Sequence, residues 1–416
     1  FLLEAINEHD HLASLDIFEE LAEFISTLAE ILKNNPEPFS FWDQSNSAKE
    51  KFRSQIVLGI AGVETRVSIS ALKTYLEACL SKLETGINMA WDMAGKIPST
   101  YFNHEVVEHE LIQVTEADGS LSTKTNSKGL SCFRVKSFRI HHLPHFLEGP
   151  VHFLRCQPGA SIARKLVEDI RQSDLYDTKL GMYKVNAVLD DEPMEIGRAR
   201  VFSPGWFENE SIWLHMEYKY MYEILRNGLN DIFFDEFKKV FIPFQKPEIY
   251  GRSILENSSF IVSSANPDKN LHGTGFVARL SGATAEFIQI LMHMAMGPKP
   301  FVLSNQGELE FQLQPVLPGW LFTTQTQRVE EAGIKDSLPL FIPASTFSFM
   351  FLGEIMITYH NPAMKNTYGS EKVIPKHWKI VDHDGNTHQF EGNSIIGMLA
   401  HEIRQRQVSR IDVTLA

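Results

Sequence analysis

Apolar residues recur at intervals of three and four in several stretches before residue 300, and at intervals of two after it. Ile17, Leu21, Phe24, Leu28 and Leu32, with Ile25 and Ile31, share one side of a helical projection, and Asn34, Asn35 and Pro36 end that run. A second stripe carries Leu72, Leu76, Cys79, Leu80 and Leu83, then Ile87, Ala90 and Met93; Ser70 can cap it and Pro98 ends it. Residues 100–205 are less regular and read as elaborated connections, with a surface loop where Gly, Ser, Thr and Asn cluster between 118 and 131. Residues 208–226 predict a strong helix. Trp213, Leu214, Met216, Tyr220, Met221, Ile224 and Leu225 cover most of it, and His215, Lys219, Glu223 and Arg226 form one narrow polar stripe. A helix this apolar is expected to be buried. Another begins near Ser281 and runs through Phe287, Ile288, Leu291 and Met294 to Gly297-Pro298.

After Pro300 the alternation of Leu309, Phe311 and Leu313, of Phe347, Phe349 and Phe351, of Ile355, Ile357 and Tyr359, and of Ile411, Val413 and Leu415 predicts strands. Asp384-Gly385 signals a hairpin between two of them. Residues 299–416 are therefore expected to form a β-rich, sandwich-like domain behind a helical one at 1–298.

Composition narrows the function classes. The 416 residues are 43% hydrophobic and 22% charged, with no internal repeat or low-complexity tract, which fits a globular protein of two or three domains. Lys+Arg of 39 against Asp+Glu of 52 leaves a net charge of −13 and no basic run, the wrong field for a nucleic-acid groove. Apolar runs fall short of a bilayer span. Cys79, Cys132 and Cys156 are widely spaced, which suits a reducing, cytoplasmic setting. The chain starts at Phe1 without Met or a signal pattern, so it is read as a piece of a longer polypeptide.

Several motifs reduce to ordinary structure. In His104–His109 the two histidines are five apart, about 140° around a helix, so they cannot share a zinc the way a spacing of four allows. His141, His142 and His145 are interrupted by Pro144. Asp382-His383-Asp384-Gly385 lacks the later ligands of a calcium loop. Gly273-Thr274-Gly275-Phe276-Val277-Ala278 matches a dinucleotide pattern, but the turn-rich residues before it are no strand. No metal site and no organic cofactor are expected.

Two polar segments beside buried helices are more informative: Pro204 to His215, PGWFENESIWLH, and His272 to Phe287, HGTGFVARLSGATAEF. In the second, Ser281, Gly282, Ala283 and Thr284 sit where a helix begins. Free N–H groups and the positive helix end there favour an anion. Read alone, Ser281 is more readily a helix cap, and His215, one of 16 histidines, more readily a structural residue.

Together the two segments resemble the inverting glycoside phosphorylases of glycoside hydrolase family 94, such as cellobiose and β-glucan phosphorylases. ENESIWLH resembles the family's ENGG-x-F-x-H, and RLSGATAEF its W-L-T-G-T-A-A-W loop. LEFQLQPVLPGW (309–320) and FLGEIMITYHNP (351–362) are similar to its later strands, and SDLYDTKLGMYKVN and YGRSILENSSFIVSSA add to the likeness with the β-1,3-glucan phosphorylase group. The resemblance covers roughly residues 95–416. It implies part of an (α/α)6 barrel, mainly α, followed by a C-terminal β-sandwich-like domain. It also implies phosphate contacts from His215, Ser281, Gly282 and Thr284 with Arg279 close by, and substrate contacts from Glu208, Asn209 and Glu256. Inorganic phosphate would be the co-substrate, a β-linked gluco-oligosaccharide the partner, and α-glucose 1-phosphate a product; a homo-oligomer is left open.

Two departures stand out. Phe207 occupies a position where the cellobiose enzymes are expected to carry Lys. The Asp-Trp-Asn-Asp motif of the family's general acid is absent, so that acid is expected upstream of Phe1 and the chain alone is expected to be inactive. Two alternatives remain. One is a hydrolase using Glu208, Glu210 or Glu256 as base; the other is a non-catalytic carbohydrate-binding piece.

Overall fold

A computed structural model describes residues 13–34, 37–277, 281–329 and 340–416. The chain divides into two compact units, Phe1–His145 and Phe146–Ala416. Residue 298, the expected domain boundary, lies inside the second.

In the first unit, strands Ser14–Phe18 and Glu64–Ser68 pair antiparallel. Between them run α1 (Glu19–Asn34) and α2 (Pro38–Gln55), joined by stacked rings of Phe24 and Phe52 at 4.9 Å. The helix expected from Ile17 thus begins at Glu19, because pairing holds Ile17 opposite Thr65 in a strand. The next helix, α3 (Ile69–Ala94), is capped by Ser68, whose side chain accepts from the Ala71 N–H at 3.1 Å; Ser70 lies inside the helix. A long hairpin follows, Phe102–Leu111 against Phe133–His142. His104 and His109 sit on its first strand. They pair opposite Ile140 and Val135, and the register shifts twice between them.

The second unit is built around α6 (Leu214–Arg226). Earlier come α4 (Glu148–Arg155) and α5 (Ala160–Arg171); later come α7 (Asn230–Val240), the single turn α8 (Pro247–Tyr250) and α9 (Ser281–Met296). Helix α6 packs against α4, α7 and α9. Tyr218, Tyr220, Met221 and Ile224 on it are fully buried, along with Leu154, Leu166, Phe233 and Phe241 from its neighbours. Its acidic residues are buried too. Glu223 is held by Arg155 at 3.0 Å and Arg226 at 3.0 Å, so two guanidinium groups replace the water that burial removes.

Beyond α9 lie α10 (Met398–Arg404), the strand pair Gln327–Val329 with Leu340–Ile342, and two larger sheets. The larger has five strands in the order Thr346–Phe351, Ile355–His360, Val408–Leu415, Pro375–Asp382, Thr387–Glu391. All neighbours are antiparallel except Ile355–His360 and Val408–Leu415, which run parallel. The smaller joins Phe301–Leu303, Leu309–Gln312 and Ser394–Ile396. Phe311 of the smaller sheet meets Phe351 and Trp378 of the larger at 5.6 and 6.0 Å, and all three rings are buried. The predicted hairpin is present. Gly385 takes a φ of 86°, and Asp382 accepts from the N–H groups of Asp384 and Asn386. Tyr359 ties the larger sheet to α9 by donating to the Ala295 carbonyl at 2.7 Å.

The mainly α expectation, with part of an (α/α)6 barrel, is overturned. The protein is 37% helical and 26% strand, with ten helices and several small sheets among the described residues: a mixed α/β protein. Several of the strands missed give no pattern to read. Phe102–Leu111 buries none of its residues, and the strands at 176–177, 182–183, 212–213, 260–261 and 275–276 have two residues each. Neither kind can carry an apolar alternation. Residues 208–213, expected as helix, form a turn and a strand. Tertiary pairing outweighs helical periodicity in that stretch.

Candidate functional site

A small three-stranded sheet brings the two polar segments together. Phe260–Ile261 is its centre, flanked by Ile212–Trp213 and Gly275–Phe276, with Phe260 opposite both Trp213 and Phe276. From one edge the chain enters α6 directly, which puts His215 in the helix's first turn. From the other edge it passes Val277 toward α9. Val277 has a φ of 56°, and Ser259 holds it there: the Ser259 N–H donates to the Val277 carbonyl at 2.8 Å and its hydroxyl donates to the same oxygen. Gly275 is required for a packing reason, since a Cβ there would stand 2.2 Å from the Tyr250 ring. That accounts for the dinucleotide-like glycine without a nucleotide.

The result is a contact between residues far apart in sequence. The His215 ring lies on Gly282, in the first turn of α9, so closely that a Cβ on Gly282 would be 2.8 Å from Nδ1. On its other side, Nε2 of His215 is 3.5 Å from a carboxylate oxygen of Glu286. Burial and the nearby Lys219 push the imidazole pKa below its ordinary value, against the pull of Glu286. Thr284, exposed on the same helix, accepts from the Asn257 side chain at 3.4 Å, and Asn257 in turn accepts from the Tyr218 hydroxyl at 3.0 Å. Ser281 is the first residue of α9. Arg279 lies outside the described residues.

Glu208 and Asn209 are placed by a different clamp. Asn186 donates to the Glu208 carbonyl at 2.7 Å and accepts from the Glu210 N–H at 2.6 Å. This holds the segment through positive φ values of 47° at Phe207 and 56° at Glu210. Glu208 meets Arg198 at 2.6 Å, and Asn209 donates to the Phe202 carbonyl at 2.6 Å. The second carboxylate oxygen of Glu208 and the amide oxygen of Asn209 are both buried and have no partner among the described residues. Both oxygens are acceptors only. Half-buried Trp206 and Trp213 both pack on Phe260, at 5.2 and 6.0 Å. Glu210 is committed to Lys184 at 2.6 Å, and exposed Glu256 to Arg252 at 3.4 Å.

The sequence reading missed Glu286, Asn257, Asn186 and Lys184. Asn186 and Lys184 lie in SDLYDTKLGMYKVN, quoted above for likeness only. Glu286 could have been found on α9, one turn beyond Gly282. Among the described residues no group of three or more His, Cys, Asp or Glu is arranged to hold a metal, and no helix is long and apolar enough to cross a membrane. No protein-family model matches the chain, and no curated protein is significantly similar to it.

Proposed function

We propose that this chain carries the phosphate-holding part of an inverting β-glucoside or β-glucan phosphorylase that works in the cytoplasm. The observation that carries the reading is the seating of His215 on Gly282 at the start of α9. The His215 imidazole, the N-terminal turn of α9 and the Thr284 hydroxyl belong to one short stretch of the fold, and such a cluster suits a phosphate. The donorless oxygens of Glu208 and Asn209 suit the hydroxyls of a sugar, and Trp206 and Trp213 offer apolar faces to its ring.

In this reading a phosphate oxygen attacks the anomeric carbon on the face opposite the glycosidic oxygen. The glycosidic C–O bond breaks, and the leaving oxygen takes a proton from a carboxylic acid. The products are α-glucose 1-phosphate and a chain shortened by one unit. Phosphate is already a nucleophile, so the site needs a cradle for it rather than a base to activate water. The general acid is not assigned to a residue of this chain, because the Asp-Trp-Asn-Asp motif is absent from it.

The test is whether cleavage of cello- or laminari-oligosaccharides by the complete gene product requires phosphate. His215→Ala should weaken phosphate use about 10- to 100-fold, the worth of one strong hydrogen bond. Cleavage at the same rate without phosphate would replace this reading by a hydrolase, for which the His215–Glu286 pair is the observation in favour.

A further inference from the structure

Helices α6 and α9 both begin at the site just described, and their other ends open into a separate cleft. One part of it, about 700 Å3, lies between Arg226 and His293 on the helices and the chain at 312–316, 372–375 and 393–394. A second part, about 590 Å3, adjoins it and shares Gly228, Asn230, Tyr368 and Gly369. We propose that this cleft binds a neutral oligosaccharide, at a place distinct from the His215 site.

Charge is the first argument. The ionised residues lining the two parts are Arg226, Lys365 and Lys372 against Asp231, Glu310 and Glu371, so the cleft is balanced. Several are already paired: Arg226 with Glu223 at 3.0 Å, Lys365 with Glu371 at 3.4 Å and Asp231 with Arg164 at 3.0 Å. A balanced and internally paired lining has little to offer an anion or a cation.

Hydrogen-bonding capacity is the second. Asn230 Oδ1 and His293 Nδ1 are buried atoms without a partner among the described residues, and both residues line the cleft. An amide oxygen can only accept, and the imidazole nitrogen accepts when its proton is on Nε2. A ligand rich in hydroxyl groups can meet the amides of Asn230, Gln312 and Asn393 and accept from Lys372. The third argument is Tyr368. It stacks on Phe234 at 5.1 Å with planes 13° apart, and this fixes its ring where the two parts of the cleft meet. A fixed, partly exposed aromatic face among amides is a platform for a sugar ring.

The proposal is read as binding, so it stands or falls apart from phosphorolysis. Titration calorimetry of the 416-residue chain with cello-, laminari- and malto-oligosaccharides measures it, with inorganic phosphate as the charged comparison. Tyr368→Ala and Asn230→Ala should each weaken oligosaccharide binding roughly tenfold or more. Ser370→Trp changes an exposed residue at the lip and should block the cleft without removing packing, which keeps the test valid if Tyr368→Ala fails to fold. No oligosaccharide binding at millimolar concentration would overturn the proposal. So would binding that is lost in His215→Ala but kept in the cleft variants, or a cleft that takes phosphate in preference to the neutral sugars.

Discussion

The contact between His215 and Gly282 can be tested by adding one methyl group. In Gly282→Ala the new Cβ would lie 2.8 Å from Nδ1, 3.0 Å from Cγ and 3.1 Å from Cε1 of the His215 ring. These distances are several tenths of an ångström inside normal contact, so the imidazole must move and lose its place beside Glu286. Overpacking of this size costs about 1–3 kcal/mol. Alanine is a better helix former than glycine, by up to about 1 kcal/mol, which offsets part of that cost. Gly282→Ala should therefore lower stability by roughly 0.5–2 kcal/mol in urea unfolding, and phosphate binding should weaken with it. The decisive arm is the double variant. In a His215→Ala background the clash partner is gone, so Gly282→Ala should become neutral or slightly stabilising, with a coupling of about 1–3 kcal/mol between the two changes. If Gly282→Ala costs the same in both backgrounds, the ring does not rest on this glycine and the anion cradle has no geometric basis.

Three further predictions concern the second unit. Glu217 is fully buried, accepts from the Tyr183 N–H at 2.8 Å through one oxygen, and has no partner among the described residues for the other. Burial, with Glu236 and Asp177 adding to it, pushes its pKa well up. A raised acid binds its proton more tightly when folded, so stability is greatest below the ordinary carboxyl range and falls by about 1.4 kcal/mol per pH unit above it, until the raised value is passed. Glu217→Gln keeps the acceptor for Tyr183 and should flatten that slope in urea midpoints measured from pH 5 to 8; an unchanged slope would assign it to another group. Lys184→Met leaves the buried Glu210 carboxylate without its cation and should cost about 3–5 kcal/mol, most of it recovered by adding Glu210→Gln. Trp378→Ala removes a buried ring that meets Phe311 at 6.0 Å and donates to the Gly392 carbonyl at 2.8 Å. It should cost about 3–5 kcal/mol, and a loss below 1 kcal/mol would mean that the two sheets do not share this core.

The sequence by itself determined the elements whose one face is buried over a long enough run. Helix α9 starts at Ser281 as its pattern indicates, and the alternation at 346–351, 355–360 and 408–415 marks real strands with a turn at Asp384-Gly385 elsewhere in the same sheet. It also marked both polar segments as the places to look. Local periodicity records burial, so it is silent where burial is absent or too brief to repeat. That is why the strand Phe102–Leu111 and the two-residue strands around Phe260 were illegible, while the mainly helical expectation came from the family resemblance. Which partner each residue meets is a different kind of information. Nothing near His215 in the chain indicates that its ring will rest on Gly282 opposite Glu286, or that Asn186 will clamp Glu208 and Glu210. Those pairs exist because the small sheet closes distant segments onto one another, and only the tertiary structure decides which backbone comes close enough to need a glycine.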